Sequence, residues 1–222
     1  MTDILFSPWK LGKIGLKNRV VMSPMTRSRS PGNVPGSLVV TYYAQRAEAG
    51  LIVTEGTSPS PNGLGYARIP GLFSPQQVQG WRQVTDAVHK AGGKMFVQLM
   101  HTGRVSHPLN MPAGARVLGV SPIAVSSKMW TDAKGELSCP APAEMTEADI
   151  RSAIDEYGQS AELAVEAGFD GVELHGANGY LIDQFLNTAS NQRKDAGGGS
   201  VANRIRFAVE VARHAAGKIG AD

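Results

Sequence analysis

Cysteine is almost absent: Cys139 stands alone among 222 residues. A single thiol excludes an intramolecular disulfide framework and any cysteine cluster for zinc or iron–sulfur, and it points to a reducing, cytoplasmic setting. Charge is sparse as well. Charged residues make up 18% of the chain, and Lys plus Arg exceeds Asp plus Glu by only 22 − 19 = +3. No run of five basic residues occurs, so nucleic acid is not the expected partner; the scattered cations suit at most a phosphate-bearing small ligand. Long hydrophobic runs are missing too. Stretches such as Leu51-Ile52-Val53 end after a few residues, so no membrane span is expected. The start, with Asp3 and no basic region ahead of an apolar stretch, does not read as a secretory signal. What is present is a 42% hydrophobic composition, which excludes a disordered chain, a collagen-like repeat and a coiled coil. The length suits one large domain or two small ones.

Short β-branched runs alternate with helix-like segments. Arg19 to Met22 reads as a strand, and Ser37 to Ala49 as a helix closed by Gly50 in a left-handed conformation. Leu51 to Thr54 is a second strand. Ser74, Pro75 and Gln77 form an N-terminal helix signature with a capping box, and Val78, Trp81, Thr85 and Val88 follow at helical spacing. Lys94 to Leu99 is a third strand. Thr146 to Asp149 opens a helix whose inner face carries Ile150, Ile154, Tyr157, Ala161 and Ala164, ended by Gly168. Gly171 to Leu174 is a fourth strand, and Ser200 caps a helix over 201–216. Four βα units in series predict an α/β fold with a parallel sheet and helices packed outside it. Residues 102–145, rich in Pro, Gly and Ser and without helical period, read as an inserted excursion, a hairpin lid after the third strand. Phe6 to Lys17, broken by Gly12 and Gly15, reads as a hairpin ahead of the first strand that would plug the bottom of a barrel.

Polar residues collect where each strand ends: Ser23 to Arg27, Thr54 to Thr57, Gln98 to Arg104 and His175 to Tyr180. In a parallel barrel these tips meet on the ligand-binding face. His175, Asn178 and Tyr180 form the sharpest group. Imidazole and amide can donate to a carbonyl or nitro oxygen, and a phenol can deliver a proton. From spacing alone, the same three residues suit a satisfied structural histidine, a helix cap and a core aromatic equally well. Glu55 at a strand end suits a base or a buried structural carboxylate, with the second expected. Gly63-Leu64-Gly65 reads as loop packing, Cys139 as a bystander, and His101 with His107 lacks the spacing and the carboxylate a metal site needs.

Several segments together carry a resemblance: Leu16 to Arg19, Pro24 to Arg27, Tyr42 to Ala47, Thr54 to Thr57, Gln98 to Arg104, Glu173 to Leu181, and Asn191 to Asp195 with Asn203-Arg204. Over Phe6 to Asp222 the chain resembles the Old Yellow Enzyme group of flavin-dependent ene-reductases, close to the N-ethylmaleimide and xenobiotic reductases. The resemblance implies a (β/α)8 barrel, FMN as cofactor, NAD(P)H as reductant and an activated alkene as substrate. It assigns Thr26 to the flavin O4, Pro24, Met25 and Gly56 to backbone contacts with the isoalloxazine, and Gln98 to the pyrimidine edge. His175 and Asn178 then grip the substrate's activating oxygen, Tyr180 donates the proton, and Tyr66 lines the substrate pocket. Met100 stands where many relatives have Trp, and Gly197 where they have Tyr, which implies a wider substrate wall and a looser loop.

Length is the largest departure, since a full barrel takes ~250 residues. The resemblance implies a single partial barrel domain over 1–222, four strands and the 102–145 insertion, stopping at Gly220-Ala221-Asp222 ahead of a fifth strand. Two readings follow. One is the N-terminal half of an ene-reductase. The alternative is a non-catalytic half-barrel or interaction module without tight flavin binding, which self-associates or pairs with a complementary C-terminal half.

Overall fold

The computed structural model describes residues 2–220; Met1, Ala221 and Asp222, at the ends of the expected 1–222 domain, lie outside the described residues. A hairpin comes first. β1 (Trp9–Leu11) and β2 (Ile14–Leu16) pair antiparallel, Trp9 opposite Leu16, around Gly12 at φ +55°. β3 (Val21–Met22), α1 (Ser37–Ala44), β4 (Leu51–Thr57), α2 (Pro75–Lys90) and β5 (Met95–Leu99) follow in strict alternation. The excursion carries β6 (Leu118–Gly119), β7 (Lys128–Thr131), β8 (Gly135–Ser138) and β9 (Ala143–Glu144). After it come α3 (Glu147–Glu166), β10 (Gly171–Leu174), α4 (Leu181–Leu186) and α5 (Val201–Ile219).

The principal sheet runs β10–β5–β4–β3 and every neighbouring pair is parallel, with Val21 opposite Leu51, Ile52 opposite Met95 and Glu173 opposite Gln98. β3 and β10 are its edges, so the described strands form an open sheet and not a closed barrel. Alternation along the strands divides two cores. Ile52, Met95, Val97 and Leu99 face the helices and pack with Trp81, Val84, Val88, Tyr157 and Ala161. Leu51 and Val53 face the other way and join Leu16 of the hairpin, with Ile14 and Phe96 against them. Each fully buried large side chain of these cores contributes roughly 1.5–3 kcal/mol. The hairpin therefore seats on the amino-terminal end of the sheet, opposite the polar strand tips.

Local chemistry accounts for most element ends. Thr146 and Asp149 exchange bonds in a capping box at the start of α3, Gly168 at φ +86° ends that helix, and Ser200 accepts from Asn203 N–H ahead of α5. Three expectations are corrected. The first helix stops at Ala44 instead of Ala49, because the chain tightens into i→i−3 bonds from Arg46 N–H to Tyr43 and from Ala47 N–H to Ala44. Gly50 is not among the left-handed residues; a Cβ there would overlap the Asn18 carbonyl, so glycine serves close approach. At α2, Ser74 Oγ accepts from Gln77 N–H, but Gln77 Oε1 accepts from Phe73 N–H (2.8 Å), one residue upstream of the reciprocal capping-box partner.

In the excursion, β7 and β8 form an antiparallel hairpin turned at Gly135 (φ +69°), and β6 pairs parallel with β9. The Arg193 guanidinium holds its base, donating to Val120 O (3.1 Å) and Met145 O (2.6 Å). Asn110 Nδ2 donates to both Gly65 O and Trp130 O, tying the hairpin to the loop after β4.

Candidate active site

The four parallel strands end on one face, and each end is held by its own bonds. After β3 the chain passes Pro24, Met25 and Thr26, and Arg27 N–H donates to Glu55 Oε2 at 2.9 Å. Glu55 is itself anchored, its N–H donating to the Tyr43 hydroxyl (2.7 Å). The pairing of β4 with β5 shifts register between Val53 and Gly56. Thr54 Oγ1 fills the irregularity by accepting from Gln98 N–H (3.0 Å) and donating to Glu55 O (2.8 Å). The shift sets Gly56 opposite Gln98, and a Cβ at position 56 would fall 2.5 Å from Met100 Sδ. A side chain there would have to displace the end of the flexible Met100 side chain.

β5 and β10 supply the next residues. Gln98 Nε2 donates to Glu173 Oε1 at 2.7 Å, and His175 N–H continues the ladder to Leu99 O at 3.0 Å. Beyond His175 the backbone turns through Asn178 (φ +59°) and Gly179 (φ +77°), and Tyr180 is the extended residue preceding α4. Asparagine tolerates the left-handed region better than most side chains, which fits its place here. The Tyr180 ring lies edge-on to His175, with centroids 5.0 Å apart, and its hydroxyl is 3.0 Å from the Tyr66 hydroxyl.

These residues enclose a cleft of about 200 Å³ lined by Pro24, Thr26, Gly56, Gln98, Met100, His175, Asn178 and Tyr180. Tyr66 adjoins it through the Tyr180 hydroxyl, in a patch with Leu64, Ile69 and Met100. Met25 is the one residue of the expected set that neither lines the cleft nor touches Tyr180; it is 46% exposed. The expectation for Met25 concerned its backbone.

Burial shapes the electrostatics. The half-buried His175 has its pKa lowered by desolvation, against the opposing pull of Glu173 and Asp183. Burial, with the Tyr180 hydrogen bond, raises the Tyr66 phenol. Burial pushes the Glu55 carboxyl up to about 7, against the lowering influence of the Arg27 and Ser28 N–H groups, the Arg27 charge and Tyr43. Glu55 is thus the buried carboxylate expected, bonded to the loop that carries Thr26.

The remaining signals have structural roles. His101 is fully buried and its Nδ1 accepts from Gly103 N–H (3.0 Å). His107 Nδ1 accepts from Leu109 N–H, and Cys139 is buried beside Ser127. Gly65 packs against Val105 and Thr102. A groove of about 350 Å³ lies on the outer helical surface around Ile150, Phe185 and Phe207; Gly197 lines it and no strand tip reaches it. Sequence reading missed Glu173, Asp183 and Gln184. Glu173 had a signal, since it stands two residues before His175 on one strand and so shares its face.

The family model described as the NADH:flavin oxidoreductase / NADH oxidase family matches residues 4–222. Among curated proteins, 12-oxophytodienoate reductase 7 of Oryza sativa subsp. japonica is 44% identical, over 98% of this chain and 56% of its own length. A flavin oxidoreductase of Emericella nidulans is also 44% identical, over 98% of this chain and 57% of its own. Among solved structures, a morphinone reductase in complex with tetrahydroNAD superposes with a TM-score of 0.92 at 42% identity, covering 97% of this chain and 61% of that one. The Old Yellow Enzyme homologue from Zymomonas mobilis does so with a TM-score of 0.93 at 40% identity, covering 97% and 60%. The chain spans a little over half the length of the curated relatives it matches.

Proposed function

The chain belongs to the NADH:flavin oxidoreductase / NADH oxidase family, and from that premise we propose that it carries the substrate half of an FMN-dependent, NAD(P)H-consuming ene-reductase site. The observation that supports the reading most is the convergence of Thr26, Gly56, Gln98, His175, Asn178 and Tyr180 on one cleft. The residues fit a flat heterocycle with a polar rim. Thr26 offers a hydroxyl with no protein partner among the described residues, Gln98 offers an amide oriented by Glu173, and Gly56 keeps the wall free of a side chain. FMN, when bound, supplies hydride exchange between NAD(P)H and the alkene. A solved relative held with tetrahydroNAD supports the reductant assignment.

The chain's own residues supply the rest. His175, kept neutral by burial, and Asn178 donate hydrogen bonds to the substrate's carbonyl or nitro oxygen and stabilise the negative charge that grows there. Tyr180 gives its phenolic proton to the carbon beside the activating group. Over the cycle two C–H bonds form while the C=C π bond, the nicotinamide C–H bond and the Tyr180 O–H bond break; NAD(P)H leaves as NAD(P)+, and a proton from solvent restores the Tyr180 phenol. Enones, maleimides and nitroalkenes are the substrate class. Residues 102–145 serve as a lid, tied to the Tyr66 loop through Asn110.

The test is FMN titration of the full polypeptide that bears this chain, read by flavin fluorescence quenching. Binding is expected, weakened by Thr26→Ala and by Gln98→Ala; absence of FMN binding would defeat the proposal. The open edges β3 and β10, with Val20 and Val21 41% and 49% exposed, favour a second reading of residues 1–222 on their own. Unpaired edges and bare apolar faces drive association, so that fragment self-associates, or pairs with a complementary C-terminal half, and holds flavin loosely. A monodisperse monomer with tight flavin on size-exclusion chromatography counts against it.

A further inference from the structure

The turn that carries Asn178 and Tyr180 is held from outside the cleft. Between them lies Gly179, and both of its backbone groups are engaged by α4. Its N–H donates to Asp183 Oδ2 at 2.7 Å, and its C=O accepts from Gln184 Nε2 at 2.8 Å. Gln184 is 1% exposed and reaches further: Nε2 also donates to Thr102 O (3.0 Å), and Oε1 accepts from Arg104 N–H (3.2 Å). Its own N–H donates to Tyr180 O (2.8 Å), and Leu181 N–H donates to His101 O (2.9 Å). One buried amide therefore bonds both the β10 turn and the segment leading out of β5. Neither Asp183 nor Gln184 lines the cleft.

Asn178 holds a left-handed φ, a sparsely populated state for a residue other than glycine, and such states persist only where surrounding structure holds them. Rotation of the peptides flanking Gly179 would displace the Asn178 amide and the Tyr180 phenol, and misplacement by about 1 Å costs rate steeply. We propose that Asp183 and Gln184 are positioning residues that clamp the Gly179 peptide and thereby set Asn178 and Tyr180 against His175. This rests on the reading of those three residues as the oxygen grip and proton donor.

The experiment uses the full polypeptide with Asp183→Ala, Asp183→Asn and Gln184→Ala, and two readouts. Amide hydrogen exchange at Gly179 reports the clamp without cofactor or turnover. Absorbance titration with 4-nitrophenol reports the oxygen grip. Protection of Gly179 is expected in the wild type and in Asp183→Asn, whose Oδ1 still accepts the bond, and is lost in Asp183→Ala. Phenol affinity should fall by up to about tenfold in Asp183→Ala and Gln184→Ala, the scale of one lost hydrogen bond, and return in Asp183→Asn. Because Gln184 is buried and its variant risks misfolding, the half-exposed Asp183 pair decides the matter. Faster Gly179 exchange with unchanged phenol affinity in Asp183→Ala overturns the proposal, as does an unprotected Gly179 in the wild type. A wild type that protects Gly179 but binds no phenol leaves the clamp standing and defeats the functional reading instead.

Discussion

Two histidines sit at the tips of adjacent parallel strands and have opposite fates. His101, just past β5, is 1% exposed, bonded through Nδ1 to Gly103 N–H, and carries its pKa down to about 4. His175, just past β10, is half-buried, has no protein hydrogen bond to its ring among the described residues, and faces Tyr180 across 5.0 Å. Burial lowers both pKa values, so neutrality does not separate them. His101 also keeps an unspent nitrogen, its buried Nε2; what separates the two rings is that only His175 presents its free capacity to the cleft. Position at a strand tip makes a residue eligible for a site; an unspent donor facing a cleft makes it a candidate.

The largest expected effect breaks the comparison on the structural side. A histidine whose folded pKa is about 4 against an ordinary 6.5 binds fewer protons folded than unfolded between those values. Stability from this group therefore rises with pH from 4 to 6.5, by about 3 kcal/mol in all. Glu55 does the reverse. Its folded pKa of about 7 against 4.5 makes the folded state bind more protons, so its contribution is fully present below 4.5 and is lost as pH rises to 7, by about 3 kcal/mol as well. Between pH 4.5 and 6.5 the two slopes cancel. Urea denaturation of Glu55→Gln should then reveal stability climbing with pH in that window, and His101→Gln should reveal it falling, each relative to the wild type. Parallel curves for wild type and both variants would show that neither group is perturbed.

The second effect sharpens the functional side. In the proposed reaction, proton delivery to carbon is needed only when the alkene is reduced, not when NAD(P)H is consumed. Tyr180→Phe in the full polypeptide should leave flavin bleaching by NAD(P)H intact and slow recolouring by an enone by ~10²-fold, the scale of a lost general acid. Stopped-flow absorbance separates the two phases. Slowed bleaching with untouched recolouring would return Tyr180 to a packing aromatic against Tyr66.

How much of this was legible beforehand follows from the range of each signal. Helices α2 and α3 were legible because Ser74-Pro75, Thr146-Asp149 and the apolar period of Trp81 and Tyr157 are local. The parallel order was legible from strand and helix alternation, and the gathering of Thr26, Gln98, His175 and Tyr180 from the rule that strand tips share a face. The Gln98–Glu173 bond was not, because it spans 75 residues and exists only in the register that sets these two opposite each other. Gly50 misled for a similar reason: the contact that demands glycine comes from Asn18, far back in the chain, and not from the helix it follows. The clamp on Gly179 lies only four and five residues along the chain; Asn178-Gly179 is a pairing that favours left-handed φ, but it does not announce which side chains engage the Gly179 backbone.

The smallest effect tests the comparison at its centre. His175→Ala removes a half-buried ring that packs edge-on against Tyr180 but makes no hydrogen bond to the fold among the described residues, so the folding free energy should change by about 1 kcal/mol or less. If His175 serves the proposed oxygen grip, the same change removes a donor to the ligand oxygen, and 4-nitrophenol affinity should fall by about tenfold. His101→Ala should invert the pair: it deletes a buried ring and strands the Gly103 N–H, costing about 2–3 kcal/mol of stability. Its phenol affinity, measured well below the melting transition, should stay near the wild-type value, because His101 does not line the cleft. The two variants thus form a cross, one losing ligand and keeping fold, the other losing fold and keeping ligand. If His175→Ala destabilised the protein as much as His101→Ala does, His175 would be a structural histidine after all, and the oxygen grip would rest on Asn178 alone.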